Sequence, residues 1–373
     1  MIPFNKPFII GKEIEYIQEA VQSGKISGDG IFTKKCHALL EDKYGFPKCL
    51  LTTSCTDALE MAAILCNIEL GDEVIVPSYT FVSTVNAFVL RGAKIVFVDS
   101  EDNNPNVDVT QLEKLITAKT KAIVVVHYAG IACNMNAVVA ISKKHNLFLI
   151  EDAAQAIDSY YNGKPLGTFG DFAAFSFHET KNIISGEGGM LVINDLKYVE
   201  RAEIIREKGT NRSKFFRGEV DKYGWVDIGS SFLPSEIIAA FLFAQLEHIE
   251  EIQAKRKKIW YSYFEHLKTL EEQNLVDLPF VPTYATNNGH MFFLVTKTSE
   301  ERTELIAHLK KEDIFPTFHY LSLHKSEFFN DAISHLPNSD KFTERLVRLP
   351  FFYEMTTGEI KLVTNAVLSF YNN

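Results

Sequence analysis

The sequence predicts an α/β protein: a large, mainly parallel sheet domain followed by a smaller C-terminal α+β domain. Short apolar runs alternate with helical patterns between about residues 50 and 245. These runs are continuously apolar, which is typical of strands covered on both faces. The chain has 373 residues, more than one hydrophobic core usually supports, so two domains are expected.

Six runs rich in β-branched residues predict the strands of the large sheet. Helical patterns separate them, as the crossover connections of a parallel sheet require. The predicted strands are residues 72–77, 93–99, 121–127, 147–152, 173–177 and 190–194. Open α/β sheets bind ligands at the carboxyl ends of their strands, so the polar residues after these runs are the candidates for a site.

A long helix is predicted where the two domains join. From Glu236 to about Phe264, apolar residues recur at helical spacing among Glu, Gln, Lys and Arg. Weaker strand and helix patterns follow from about residue 265. We therefore expect a large domain over residues 1–245, which includes an N-terminal segment, and a small domain over residues 246–373.

The composition excludes several classes of protein. The formal net charge is -10, from 38 basic and 48 acidic residues, and no block of Lys and Arg could follow a nucleic-acid backbone. The five cysteines are odd in number and lack the spacing of metal ligands, so they are expected to be reduced thiols and no metal site is expected. Neither a signal peptide nor a membrane span is evident, which favours a cytoplasmic location.

The first candidate site is the stretch 51–61, where small hydroxyl residues lead into a helix-forming sequence. Ser54, Cys55 and Thr56 stand at the expected helix start. Free N–H groups and the helix dipole at such a start favour a phosphate. Alternatively, Ser54 or Thr56 only caps the helix, and taken alone this stretch favours the cap.

The second candidate site is the strand end at Glu151 and Asp152. A carboxylate in this position can hold a pyridinium nitrogen protonated, which makes the ring an electron sink for carbanion chemistry. The alternative is a strand-end Asp that caps the next helix.

The third candidate site is Lys181, which follows an apolar strand and precedes the glycine-rich residues 186–189. Glycines permit close approach of the backbone to a ligand. A lysine in a desolvated pocket loses its proton more easily and can then form a Schiff base. The alternative is a solvated surface charge, which is the usual state of a lysine.

A phosphate cradle, an acidic strand end and a later lysine together imply a phosphate-bearing pyridine held at three points. Four segments, residues 77–84, 151–155, 176–182 and 186–189, resemble the DegT/DnrJ/EryC1/StrS family of sugar aminotransferases. The resemblance runs over nearly the whole chain. It implies pyridoxal 5'-phosphate (PLP) as cofactor and the fold type I, aspartate aminotransferase-like fold, with a seven-stranded type of sheet.

The resemblance also implies roles for single residues. Lys181 matches the lysine that carries the cofactor and moves the proton between the substrate carbon and the cofactor. Asp152 matches the partner of the pyridine nitrogen, and Gln155 the residue near the ring hydroxyl. Phe81 lies where the family stacks an aromatic on the ring, with a core aromatic on a helix as the alternative. The matches to phosphate contacts are Ser54, Cys55, Thr56 and Ser176.

One segment departs from the family pattern. Many members carry an asparagine within a Gly-x-Asn-x-Arg segment, and from the second subunit it reaches the cofactor phosphate. Ser231 stands in that position here. The resemblance therefore implies a homodimer with shared active sites, in which this one contact is weaker or differently made.

Longer strings resemble transaminases that form dTDP-4-amino-4,6-dideoxygalactose for bacterial surface polysaccharides. They are residues 177–181, 206–213, 215–218, 220–223 and 318–320. This implies that L-glutamate aminates C4 of dTDP-4-dehydro-6-deoxyglucose and leaves as 2-oxoglutarate. The alternatives are the C4 epimer, 4-amino-4,6-dideoxyglucose, and a 3-amino sugar.

Two groups of residues are candidates for substrate contacts. Guanidinium and ammonium groups suit a diphosphate, although a solvated basic loop explains them equally well. These basic residues are Lys208, Arg212 and Arg217. Residues that either line a sugar pocket or simply end a strand are His178, His319, Tyr320 and His324.

Two rival functions are open at this point. A related dehydratase has histidine in place of the Schiff-base lysine, so Lys181 argues against that reaction. A non-catalytic regulatory or binding protein of the same fold is the other rival. Visible absorbance near the violet distinguishes a cofactor-carrying enzyme from an empty regulatory protein.

Overall fold

The structure, a computed structural model, describes residues 1–329 and 335–372. Its strands are β1 (Cys49–Thr52), β2 (Glu73–Pro77), β3 (Lys94–Val98), β4 (Thr120–Val126), β5 (Phe148–Asp152), β6 (Tyr160–Tyr161), β7 (Lys164–Pro165), β8 (Phe172–Ser176), β9 (Gly189–Ile193), β10 (Val276–Asp277), β11 (Phe293–Thr296) and β12 (Leu346–Arg348). Its helices are α1 (Glu13–Gln22), α2 (Ile31–Tyr44), α3 (Cys55–Leu65), α4 (Val82–Val89), α5 (Val109–Leu115), α6 (Met135–Lys144), α7 (Val199–Arg206), α8 (Arg212–Phe216), α9 (Glu236–Glu247), α10 (Ile249–Glu272), α11 (Ser299–Lys311), α12 (Pro337–Arg345) and α13 (Thr357–Tyr371).

Seven strands form the large sheet, in the order β1-β9-β8-β5-β4-β2-β3. The five strands from β8 to β3 are parallel, whereas β9 runs antiparallel to both β8 and β1. All six predicted strands are present within one or two residues of their expected ends, and β1 is an additional strand. The predicted α/β class with a mainly parallel sheet is confirmed.

Both faces of the large sheet are covered, as the continuous apolar runs predicted. Along β4, Ile123 and Val125 pack into one hydrophobic cluster, and Ala122 and Val124 pack into the cluster on the other face. Side chains of successive strand residues point to opposite faces, so a strand buried on both sides needs apolar residues at every position.

The single long helix predicted from Glu236 to about Phe264 is wrong. The backbone leaves helical geometry at His248 (φ -108°, ψ 15°), which ends α9, and α10 begins at the next residue. The break redirects the chain: α9 packs against α1 and α2, whereas α10 packs against α13. Apolar spacing continues through both helices, so the periodicity alone did not reveal the change of direction.

The C-terminal region is built around the small antiparallel sheet β10-β11-β12. Its core contains Tyr263, Phe292 and Leu305, and the N-terminal Ile2 joins it. Strand β12 ends at Arg348, close to the carboxyl edge of the large sheet.

Two further features are absent from the described part of the chain. No helix within residues 1–329 and 335–372 is long and apolar enough to span a lipid bilayer. The same residues contain no group of three or more His, Cys, Asp or Glu side chains arranged to hold a metal ion. All five cysteines are free thiols.

Candidate active site

A cavity of about 530 Å³ lies at the carboxyl edge of the large sheet. Its walls come from the ends of β5 and β8, the first turns of α3 and α4, and C-terminal residues that reach over the edge. The polar residues that follow parallel strands all lie at the carboxyl edge of the sheet. Ligand-binding sites of open α/β sheets are therefore found at this edge. The three candidate places of the sequence meet in this cavity.

Lys181 reaches the cavity from the loop that follows β8. A turn holds its backbone, with Lys181 N donating to His178 O at 2.9 Å. Burial lowers the pKa of the Lys181 amine, while the nearby Cys55 and Asp152 oppose that shift. Among the described residues, Nζ has no hydrogen-bond or ion-pair partner. An amine in these surroundings is more readily available as a neutral nucleophile than a solvated one.

Asp152 ends β5 and is buried at the cavity wall. Its Oδ2 accepts a hydrogen bond from Thr84 Oγ1 at 2.6 Å, and its Oδ1 accepts one from Ala154 N at 3.1 Å. Burial raises the pKa of Asp152, and these two hydrogen bonds together with the Lys181 charge act against the rise. The carboxylate is thus held in one orientation by groups on both sides.

Glu151, the other carboxylate of this strand end, has a structural role. It accepts hydrogen bonds from the backbone N–H groups of Gly167, Phe169 and Gly170, each at 2.8 Å. His127 Nε2 lies 3.1 Å from it. Burial favours the protonated form, but the His127 contact and the backbone donors outweigh it and lower the Glu151 pKa. Successive side chains of a strand point to opposite faces, so Asp152 points into the cavity and Glu151 points into the protein interior.

The start of α3 is capped by Ser54 and also forms part of the cavity wall, so the cap does not exclude a phosphate site. Ser54 Oγ accepts from Asp57 N at 3.1 Å, which is an N-cap. The earlier N–H groups of the first turn have no partner within the helix. Thr56 Oγ1 donates to Ser83 Oγ at 2.9 Å, and both hydroxyls line the cavity.

Gly189 sets how closely β9 approaches this helix start. A Cβ on Gly189 would lie 2.3 Å from the Ser54 backbone and 2.4 Å from Cys55 N. Only glycine fits there, so the helix start is seated directly on the sheet. Cys55 is enclosed beside it, and burial raises its thiol pKa well above the usual range. The thiol is therefore neutral next to the N–H groups.

Aromatic residues form another wall. Phe81 precedes α4 with 54% of its surface exposed, so it is not a core aromatic. Its ring centroid lies 5.9 Å from that of Tyr320. Gln155 Nε2 donates to Tyr320 Oη at 3.1 Å and Gln155 Oε1 accepts from Ala129 N at 2.6 Å, which fixes the Gln155 amide.

These features fit a flat pyridine ring with a phosphate. The unpaired N–H groups of α3, with Ser83 and Ser176, suit phosphate oxygens. Asp152 suits a pyridinium nitrogen, and Lys181 an aldehyde carbon.

His290 and Arg348 are among the cavity residues that the sequence analysis did not single out. His290 is buried, and its Nδ1 lies 2.8 Å from Asn182 Oδ1. Arg348 is 9% exposed and its Nη1 lies 3.1 Å from His319 Nε2. The sequence does contain a signal for Arg348, which stands inside the apolar run Val347-Arg348-Leu349. Charged side chains are rarely buried unless they are paired, so an arginine in a buried strand suggests a functional role.

Most of the predicted site residues line the cavity of this chain. They are Ser54, Cys55, Thr56, Phe81, Asp152, Gln155, Ser176, His178, Lys181, His319 and Tyr320. His324 does not line it: its Nδ1 lies 2.7 Å from Ser78 Oγ, and the ring is fully buried between the large sheet and the C-terminal region. The expected contact of His324 with a sugar is therefore corrected to a structural one.

The basic loop residues and Ser231 also lie outside this cavity. Arg217 pairs with Glu203 and Glu219, at 2.8 and 2.7 Å. Arg212 lies 3.9 Å from Glu207. The segment around them exposes apolar side chains, with Trp225 84% accessible.

Comparison with known proteins identifies the family. The model of the DegT/DnrJ/EryC1/StrS aminotransferase family matches residues 7–368. The chain belongs to this family. A related protein, GDP-perosamine synthase of Escherichia coli O157:H7, is 32% identical, over 100% of this chain and 99% of the relative. Spore coat polysaccharide biosynthesis protein SpsC of Bacillus subtilis is 30% identical, over 98% of this chain and 96% of the relative.

A solved structure is similar over the full length. The candidate sugar aminotransferase Spr1654 of Streptococcus pneumoniae, in its PLP form, superimposes with a TM-score of 0.91 at 25% identity. The match covers 100% of this chain and 98% of Spr1654. The predicted family and the fold type I architecture of the DegT/DnrJ/EryC1/StrS aminotransferases are confirmed.

Proposed function

We propose that the protein transfers the amino group of L-glutamate to C4 of dTDP-4-dehydro-6-deoxyglucose. The products are dTDP-4-amino-4,6-dideoxygalactose and 2-oxoglutarate. The observation that carries the proposal is an unpartnered, half-buried Lys181 amine in one cavity with the oriented carboxylate of Asp152. Desolvated titratable groups with a charged neighbour in a cleft are typical of functional sites, which favours an enzyme over a non-catalytic protein of the same fold.

PLP is the cofactor, as the family match and the solved relatives in PLP and PMP forms confirm. When bound, it supplies the electron sink that lets a C–H bond next to nitrogen lose its proton. Lys181 Nζ takes up that proton and returns it to the neighbouring position. Burial lowers the pKa of Lys181, which favours the neutral form that accepts a proton.

The other cavity residues bind and orient. Asp152 Oδ1 or Oδ2 holds a proton on the ring nitrogen, fixed for this task by Thr84 and Ala154. The Ser54–Thr56 turn and Ser176 would bind the phosphate, the Phe81 ring would stack on the pyridine, and Gln155 would contact the ring hydroxyl. These assignments combine the cavity geometry with the family pattern of the sequence.

The sugar assignment depends on the segments around residues 177–181 and 206–223. The relative in Escherichia coli is a GDP-perosamine synthase, so a GDP-linked keto sugar is a second candidate substrate. The SpsC relative is a polysaccharide biosynthesis protein, which supports a role in surface polysaccharide synthesis here.

We place the basic segment of Lys208 and Arg212, with Ser231, at the site of a second subunit. Tyr223, Trp225 and Val226 are all more than half exposed, and clustered exposed apolar residues indicate an interface. In a homodimer, this segment of one subunit contacts phosphate groups bound in the cavity of the other subunit. The cavity of a single chain does not contain these residues.

The test is incubation of the purified protein with PLP, L-glutamate and each keto sugar nucleotide, followed by product NMR. Small H3–H4 and H4–H5 couplings identify the axial amine of the galacto product, and large couplings identify the gluco epimer. An amine at C3, or product only from the GDP-linked sugar, would refute the substrate assignment. Absence of any amino sugar, with no visible cofactor absorbance, would refute the enzymatic function.

A further inference from the structure

His290 is a buried histidine with one ring nitrogen bound and the other left for a ligand. Its side chain is 3% exposed and lines the same cavity as Lys181. Nδ1 lies 2.8 Å from Asn182 Oδ1. Within residues 1–329 and 335–372, no group forms a hydrogen bond with Nε2. Buried polar atoms normally have a partner, and because this ring lines the cavity, a bound molecule can supply it.

The neighbours of Asn182 fix the proton on the imidazole ring. Asn182 Nδ2 donates to Gln253 Oε1 at 2.8 Å and to Asn288 O at 2.9 Å, which are both acceptors. Asn182 Oδ1 is therefore free to accept, and His290 Nδ1 carries the hydrogen that it accepts. Burial, together with the charge of Lys181, lowers the pKa of His290 well below its usual range, so the ring is neutral. Nε2 is thus a lone pair that accepts and cannot donate.

The backbone and side chains around His290 hold this lone pair in one direction. His290 N donates to Asn288 Oδ1 at 3.0 Å. Asn288 Nδ2 in turn donates to Gln155 O at 2.8 Å and to Ile157 O at 2.9 Å. These bonds connect the loop of His290 to the chain that follows β5. The acceptor is therefore oriented before a ligand arrives, which reduces the entropy that binding costs.

A neutral acceptor selects among the groups that enter the cavity under the proposed function. Carboxylates, phosphates and a ketone oxygen only accept, so they cannot bind Nε2. The protonated ring nitrogen of the cofactor is assigned to Asp152 and the ring hydroxyl to Gln155, and the amino group is the group that is transferred. The hydroxyl groups of the sugar are the donors that remain.

We propose that His290 Nε2 accepts a hydrogen bond from the C3 hydroxyl of the keto sugar. The charge of Lys181 acts on the imidazole, so His290 lies near the reacting carbon, C4. Of the two ring carbons bonded to C4 in a 6-deoxy sugar, C3 carries a hydroxyl and C5 carries a methyl group. The inference rests on the proposed function, because it takes a 4-keto-6-deoxy sugar nucleotide to be the amino acceptor.

The experiment measures binding of dTDP-6-deoxygalactose to the PLP-loaded protein by calorimetry. This sugar has a hydroxyl in place of the amine of the proposed product and cannot exchange an amino group. Its 3-deoxy and 2-deoxy counterparts are measured beside it. Wild-type protein should bind the 3-deoxy sugar about tenfold more weakly, because Nε2 then lacks a donor, and the 2-deoxy sugar within about threefold. GDP-linked forms of the three sugars cover the second candidate substrate.

Two substitutions separate the roles of the two ring nitrogens. His290→Asn keeps a donor near the position of Nδ1, and so the bond to Asn182, but has no atom at the position of Nε2. It should bind the parent sugar about tenfold more weakly and the 3-deoxy sugar no worse than the parent. His290→Gln places an amide oxygen near the position of Nε2 and should retain at least about threefold discrimination. His145→Asn is the surface control, where His145 lies 2.9 Å from Glu113, and should match wild type.

A purely structural role of His290 would weaken binding of all three sugars equally and leave the ratio between parent and 3-deoxy sugar unchanged in His290→Asn. That result would overturn the inference. So would wild-type binding of the 3-deoxy sugar within twofold of the parent, or a larger loss with the 2-deoxy sugar, whether or not a variant folds. Discrimination that depends on His290, without amination of any keto sugar, would refute the proposed function alone. Amination of the keto sugar with equal binding of the 3-deoxy sugar would refute the inference alone.

Discussion

Two regions of the chain form the cavity, and they differ in how they carry their chemistry. The carboxyl edge of the large sheet supplies Asp152 and Lys181 from the ends of β5 and β8, together with the first turn of α3. The C-terminal region supplies His290, His319, Tyr320 and Arg348 from loops and from the end of β12. We assign the cofactor to the first region and substrate recognition to the second. In this arrangement the sheet edge can bind the same cofactor while changes in the C-terminal loops alter substrate specificity.

We expect the largest loss of turnover from a substitution of Lys181, at the carboxyl edge of the large sheet. Lys181→Ala should lower turnover by at least about 10⁴-fold, because it removes both the attachment point and the proton carrier. The fold should remain intact, since the Nζ group makes no hydrogen bond in the described structure. Lys114→Ala, on an exposed position of α5, is the control. Turnover within tenfold of wild type would show that another residue carries the chemistry.

Asp152→Asn tests the role of the carboxylate that ends β5, the strand next to β8 at the same edge of the sheet. Turnover should fall by about 10³-fold, because the neutral amide no longer holds a proton on the ring nitrogen. The cofactor absorbance spectrum should change with pH in the variant, as the nitrogen loses its proton more easily. Near-normal turnover would mean that a different group binds the nitrogen.

We expect a smaller loss of turnover when the hydrogen bond that orients Asp152 is removed. Thr84→Val keeps the size of the side chain but removes the 2.6 Å hydrogen bond to Oδ2. Turnover should fall by about tenfold, and the Asp152 pKa should rise further, because that hydrogen bond lowers it. The carboxylate ionises above its pKa, so activity loss on acidification should begin at a higher pH than in wild type. A pH profile identical to wild type would contradict this role.

The smallest effect concerns the basic loop outside the cavity. Arg217→Gln should raise the KM for the sugar nucleotide by less than about threefold, because Glu203 and Glu219 already pair with the guanidinium at the surface. A tenfold or larger rise would show that these pairs give way to the diphosphate. Arg217 would then contribute to substrate recognition, together with the C-terminal residues of the cavity.

The two regions also differ in how much of them the sequence could predict. Lys181 and Asp152 follow strands whose apolar runs are local and strong, and parallel topology brings such strand ends together. Arg348 and His290 enter the cavity only through the packing of the C-terminal region against the sheet edge, which local patterns do not encode. The break at His248 and the structural role of His324 depend on the same long-range packing.

Peptide mapping after borohydride reduction of the PLP-loaded protein identifies the residue that carries the cofactor. Reduction makes the link between cofactor and protein permanent, and mass spectrometry then locates the modified residue. We expect one modified peptide, with the added mass on Lys181, and no modified peptide in the Lys181→Ala variant. A cofactor adduct on another lysine, or an adduct that persists in the variant, would contradict this prediction.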